Sequence, residues 1–213
     1  MQANSKATFK KAITKEEINQ LPLGQYSGKI HLIRRVEDVQ DAVKQLQQET
    51  VLGFDTETKP SFKKGVSHLP ALLQLAGSKA VYIFQIKLIQ LPPPLREILS
   101  NPNIIKTGVA LDHDIQKLQE IAPFFDAGFV DLRTIAEQIG IKHTGLRSLA
   151  ANLLGFRVSK SAQLSNWARE ELSQNQIIYA ATDAWVSREL YLVFRDQLKA
   201  NIPVNGSVAL RRY

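Results

Sequence analysis

Apolar and polar positions alternate in segments of changing period, and the period dictates the elements. Lys29-Ile30-His31-Leu32-Ile33 alternates and predicts an edge strand. From Val36 to Gln48 the apolar residues fall at Val36, Val39, Ala42, Val43 and Leu46, the stripe of an amphipathic helix. Three strand-like runs follow, Val51 to Asp55, Ala71 to Ala76 and Ala80 to Ile86. Gly77-Ser78 between the last two predicts an antiparallel meander closed by a tight hairpin.

Beyond Pro92-Pro93-Pro94 the rhythm changes. A short helix to Leu99 is expected, then a strand over Ile104 to Val109 and a helix over Asp112 to Ile121. Val130-Asp131 marks a short strand end leading into a helix to Ile139. A helical stretch from Leu146 to Leu154 stops at Gly155, and a long final helix opens near Ser173, where Ser173 and Gln176 form a capping box, and runs to about Leu198. A meander followed by alternating strands and helices predicts one mixed-sheet α/β domain. The polar, aperiodic residues 1–28 are expected to form a loose N-terminal arm, residues 29–200 the folded domain, and 201–213 a C-terminal tail.

Composition narrows the chemistry. The 213 residues are 44% hydrophobic and 22% charged, a globular balance that excludes long disorder. The absence of cysteine removes disulfides, thiolate metal sites and a cysteine nucleophile. A net charge of +7 suits a polyanion such as nucleic acid, although ordinary solubility charge accounts for it equally well. No apolar run is long enough to span a membrane, and the N-terminus has no signal-like apolar core, so a soluble, intracellular, cytoplasmic protein is expected.

The polar residues that could do chemistry are each ambiguous alone. Asp55 and Glu57 end an apolar strand and, two positions apart, share a face; two like charges there form a natural hard-cation site, but a solvated strand end reads the same way. Asp114 falls in the first turn of a helix, where the helix dipole alone favours an acid, and Asp112 competes as the N-cap. Tyr179 and Asp183 are a turn apart on the last helix among Ile177, Ile178, Ala181, Ala184 and Trp185. Together, Asp55, Glu57, Asp114 and Asp183 offer four hard oxygen ligands and no soft one. That set suits two Mg²⁺ or Mn²⁺ ions flanking a phosphodiester.

At this point the chain resembles a known family. Gly53-Phe54-Asp55-Thr56-Glu57-Thr58-Lys59-Pro60, Leu73-Gln74-Leu75, Lys106-Thr107-Gly108-Val109, Asp131-Leu132, Ser165-Asn166-Trp167 and Tyr179-Ala180-Ala181-Thr182-Asp183 follow, in order, the marks of the DEDD superfamily of 3′–5′ exonucleases. The likeness is to its tyrosine subclass, which includes RNase D and the Werner-helicase exonuclease, and it runs from about Lys29 to Phe194. The resemblance implies an RNase H-like fold with a mixed sheet of five to six strands flanked by helices. It implies that Asp55 bridges two metals, that Glu57 and Asp183 complete the site of the ion that activates water, that Asp114 helps hold the second ion, and that Tyr179 orients the attacking water. Asp114 is chosen over Asp112 because the family's acid falls six residues after the glycine of its strand, here Gly108. Thr56 is expected beside the terminal nucleotide, and Phe62, Lys63, Lys64 and Arg157 are the expected stacking or phosphate contacts, each weighed against a plain surface or core role. The Werner-like pattern leans to DNA; an RNase D-like or short-oligonucleotide exoribonuclease, or a catalytically idle nucleic-acid-binding module, are the alternatives.

Overall fold

A computed structural model describes residues 10–201 apart from 62, 64 and 66. The first residues of the expected arm, the tail from 202 onward, Phe62 and Lys64 therefore lie outside the described residues.

The chain opens with α1 (Lys15–Gln20), a single turn and a half closed by a capping box between Thr14 and Glu17. The edge strand β1 (Lys29–Ile33) follows where alternation places it. α2 (Val39–Leu46) buries Val39, Ala42, Val43 and Leu46 as its stripe dictates. Val36, counted in the same stripe, is 55% exposed because it sits in a 3-10 turn before the helix begins.

The meander is β2 (Val51–Thr58), β3 (Pro70–Ala76) and β4 (Ala80–Phe84), all antiparallel neighbours. Ile86, expected to end the third strand, instead opens α3 (Ile86–Ile89). Then come α4 (Pro93–Leu99), β5 (Ile105–Gly108), α5 (Asp112–Ile121), β6 (Phe129–Asp131) and α6 (Leu132–Gln138). α7 (Leu146–Leu149) widens into a π-helical turn over Ala150–Leu154 and stops at Gly155, whose φ of 74° is the left-handed value that favours glycine. α8 (Gln174–Asn201) is the long final helix, started by the Ser173–Gln176 box: the Ser173 N–H donates to Gln176 Oε1 at 3.0 Å and the Gln176 N–H to Ser173 Oγ at 3.3 Å.

The strands form one six-stranded mixed sheet in the order β1-β4-β3-β2-β5-β6, with β1 parallel to β4 and with β5 and β6 parallel to β2. β2 is therefore central, and both faces of the sheet are covered. Leu52, Phe54, Leu73, Leu75, Tyr82 and Phe84 face one apolar layer under α2, α4 and α5. Leu72, Ala76, Val81 and Ile83 face the other, against Ala180, Ala181 and Ala184 of α8. Small residues on that helix let it lie close to the sheet.

Residues 10–28 are not loose. The Asn152 side chain donates to the Lys10 carbonyl at 2.7 Å, the Lys142 N–H to the Lys11 carbonyl at 2.8 Å, and Ile13 is buried. Leu23 forms an isolated bridge with Arg157, and the Tyr26 N–H donates to Thr182 Oγ1 of α8 at 3.0 Å. Such lacing runs through backbone groups and distant partners, so it leaves no periodic mark on the segment itself.

One cation belongs to the core. Lys106 on β5 is fully buried, and its ammonium donates to the carbonyls of Asn101, Ile104 and Ala127 at 2.7, 2.8 and 2.6 Å. Three donors meet three acceptors, while burial lowers the Lys106 pKa to about 8.

Candidate active site

Gly53 is where the site begins. A Cβ there would stand 1.9 Å from the carbonyl oxygen of Ala184, so only glycine lets the backbone of α8 rest on β2. The same fact shows which way the strand faces: Gly53 points at α8, and by the period of two so do Asp55 and Glu57. Asp183, next to Ala184, is thereby delivered to the acids of β2. Asp55, Glu57 and Asp183 each place a carboxylate oxygen within 4.8 Å of the others.

The fourth acid arrives from the opposite side. Asp114 lies in the first turn of α5, half-buried, and Thr56 donates its hydroxyl to Asp114 Oδ1 at 2.7 Å. Asp114 is outside the group of three, yet its charge disfavours ionisation of both Asp55 and Glu57. Asp112 is exposed and does not cap the helix. Asp131 acts there instead, its Oδ1 and Oδ2 accepting from the N–H groups of Ala110 and Leu111 at 3.0 and 3.4 Å. Ala110 is held at φ 60°, a strained value for a residue with a Cβ, and the Asp131 bonds keep that bend in place.

Electrostatics mark the cluster as incomplete. Burial, then repulsion from Asp183 and Asp114, holds Asp55 well above the ordinary carboxylate range. Burial and the neighbouring acids push Glu57 up to about 10. Burial lifts Asp183 to about 7, although the Tyr179 hydroxyl and the Arg147 guanidinium pull the other way, and burial raises Asp114. One oxygen of Asp183 is buried without a hydrogen-bond partner. Without a cation these carboxyls must take up protons or repel; a divalent cation would neutralise them and satisfy their lone pairs, so the donor set fits a hard metal.

Tyr179 sits one turn before Asp183, buried, near enough to that carboxylate for the two groups to influence each other's ionisation. Burial and the nearby acids raise its pKa, so the phenol stays protonated. Its ring rests on Trp167, with centroids 5.7 Å apart. Trp167 is held from both flanks: Gln176 donates to Ser165 Oγ and the Asn166 carbonyl, while Gln85 donates to the carbonyls of Arg169 and Glu170.

Two of the expected substrate contacts lie outside the acid cluster. The side chain of Arg157 donates to the Leu21 carbonyl at 3.1 Å, tying down the N-terminal segment rather than entering the acid cluster. Lys63 is exposed on the loop after β2. Sequence reasoning missed Arg147, whose Nε donates to the Val158 carbonyl at 2.8 Å and whose charge reaches Asp183 and Tyr179. It also missed the role of Asp131. The strand-to-helix turn ahead of α5 was a signal for Asp131; Arg147 carried none.

The 3′-5′ exonuclease family model matches residues 30–199. The chain belongs to the 3′–5′ exonuclease family. Its relatives place it in the DEDD superfamily. It is 30% identical over 208 residues to the human exonuclease mut-7 homolog, covering 83% of this chain and 23% of that protein. It is 31% identical over 203 residues to the mouse bifunctional 3′-5′ exonuclease/ATP-dependent helicase WRN, covering 90% of this chain and 14% of that protein. The chain thus spans under a quarter of either relative. Among solved structures, the Aedes aegypti Nibbler EXO domain superposes with a TM-score of 0.74 at 24% identity, covering 83% of this chain and 93% of that one. Escherichia coli RNase D superposes at 0.73 with 20% identity, covering 81% of this chain and 46% of that one. These likenesses show the same RNase H-like fold. Among the described residues no helix is long and apolar enough to cross a membrane.

Proposed function

We propose that this chain is a divalent-metal-dependent 3′–5′ exonuclease of the tyrosine subclass, releasing nucleoside 5′-monophosphates from the 3′ end of nucleic acid. The observation that carries the reading is the meeting of Asp55, Glu57 and Asp183 within 4.8 Å in a chain of the exonuclease family. Asp55, Glu57 and Asp183 would hold one cation and Asp55 with Asp114 a second, Mg²⁺ or Mn²⁺. When bound, the cations supply the positive charge that stabilises the transition state of phosphodiester cleavage.

The protein's own groups supply alignment. Tyr179 keeps its proton beside Asp183, so it can orient a water toward the terminal phosphate without competing as a ligand. Arg147 and the net charge of +7 favour a phosphate-bearing substrate. The expected substrate is single-stranded DNA or the 3′ end of a duplex, in keeping with the Werner-like motifs; a Trypanosoma brucei RNase D of similar fold is solved with RNA U12, which keeps RNA as the second reading.

Digestion of matched 5′-labelled DNA and RNA, single-stranded and 3′-recessed, with Mg²⁺, Mn²⁺ or EDTA, tests the proposal. A metal-dependent ladder shrinking from the 3′ end is expected, stronger on DNA. Folded protein that leaves every substrate intact with metal present overturns it.

A further inference from the structure

The Leu73-Gln74-Leu75 run supplies none of the clustered acids, yet its middle residue is anomalous. Gln74 is fully buried on β3 between leucines, and neither its amide nitrogen nor its amide oxygen has a hydrogen-bond partner. An orphaned buried polar group destabilises the fold, and a leucine of similar volume avoids that cost. Packing alone therefore gives no reason for glutamine.

The register supplies one. β2 and β3 pair with Gly53 opposite Ala76, Asp55 opposite Gln74 and Glu57 opposite Leu72. Directly opposed residues of an antiparallel pair project to the same face, their Cβ atoms about 5 Å apart. That face is the one Gly53 presents to α8, so the Gln74 amide stands in the layer that holds Asp55 and Asp183, itself bearing a partnerless buried oxygen.

We propose that Gln74 is a positioning residue of the metal site, its amide N–H donating to the Asp55 carboxylate when that carboxylate holds a cation. This rests on the metal-site reading above. Carboxylates that ligate metals are themselves hydrogen-bonded, which fixes the lone pairs that face the ion. An amide suits that role because it is neutral, so it neither opposes the cation nor carries the desolvation cost of a buried charge. The competing partner is the Trp167 indole N–H, also buried and unpaired in this layer. A Gln74–Trp167 pair would be purely structural.

The two predict opposite results. Gln74→Leu is to be compared with wild type and Asp55→Asn for Mn²⁺ affinity by electron paramagnetic resonance and for melting temperature in EDTA. Positioning predicts Mn²⁺ binding weakened about 10- to 100-fold, a melting temperature in EDTA equal to wild type or higher, and cleavage that recovers at high Mn²⁺. Unchanged Mn²⁺ affinity, whether or not the melting temperature drops, overturns the proposal. Should wild type show no Mn²⁺ binding that Asp55→Asn abolishes, the metal-site reading itself fails and this proposal with it. If leucine is not accommodated, Gln74→Met, unbranched and of similar length, carries the same test.

Discussion

Thr56 and Asp114 join the two sides of the acid cluster through a 2.7 Å hydrogen bond from the threonine hydroxyl to Oδ1. Thr56 points away from Asp55 and Glu57 along β2, toward the face that α5 covers, and so holds the fourth acid from the strand that carries the first two. Thr56→Val keeps the shape and removes the donor. Cleavage at saturating Mg²⁺ should fall about 10-fold, with a stability loss near 1 kcal/mol in urea titrations. An unchanged rate would show that Asp114 needs no such anchor.

The metal-free protein should lose stability as pH rises. Asp183 keeps its proton up to about pH 7 and Glu57 up to about pH 10 in the folded state, whereas the ordinary values are 3.8 and 4.5. Below those ordinary values both states are protonated and the strain is absent; as pH climbs through the folded values, the folded chain must ionise crowded acids and the stability is lost. In EDTA the melting temperature should therefore be higher at pH 5.5 than at pH 8, and Mg²⁺ should raise it more at pH 8. Calorimetry at the two pH values decides this.

Asp55→Asn should stabilise the EDTA-treated protein at pH 8 while abolishing cleavage, since it removes a buried carboxyl whose ionisation burial and the neighbouring acids oppose. Each kcal/mol relieved is worth roughly 2–4 °C in melting temperature for a chain of this size. A lower melting temperature in EDTA would contradict the repulsion that the geometry describes.

Gly53→Ala should separate α8 from β2, because the new methyl meets the Ala184 carbonyl. A stability loss of about 1–3 kcal/mol is expected, as for other overpacked positions. The rate loss should exceed what the remaining folded fraction explains, since Asp183 retreats from Asp55. Paired rate and denaturation measurements separate the two effects.

Lys106→Met should destabilise by roughly 3 kcal/mol with little change in the rate per folded molecule. It strands the carbonyls of Asn101, Ile104 and Ala127 inside the protein. Urea denaturation alongside an activity titration would reveal any unexpected link to the site.

Much of this architecture is legible in the order of residues alone. The alternation at 29–33, the continuous apolar run at 51–54 and the stripe from Val39 to Leu46 are one-dimensional shadows of burial, so the meander and α2 follow directly. Asp55, Glu57 and Asp183 are visible because an acid ending an apolar strand, or set among apolar helix residues, contradicts its surroundings. What stays hidden depends on contacts between distant segments. Lys106 reads as a polar strand residue until three carbonyls from two loops close around it, and Arg147 becomes a neighbour of Asp183 only through the packing of α7 on α8. The lacing of residues 10–28 is hidden for the same reason. Leu23 shows no sign, in its own vicinity, of a partner at Arg157.

The close seat of α8 on Gly53 also makes the acid cluster a product of long-range docking. β2 ends at Thr58 and leaves a ribosome long before the helix that begins at Gln174. Until that helix docks, Asp55 and Glu57 face an open groove with no Asp183 to complete their cluster and no Tyr179 beside it. The cluster therefore cannot form from any local segment: it exists only where a strand and a helix far apart in the sequence have docked.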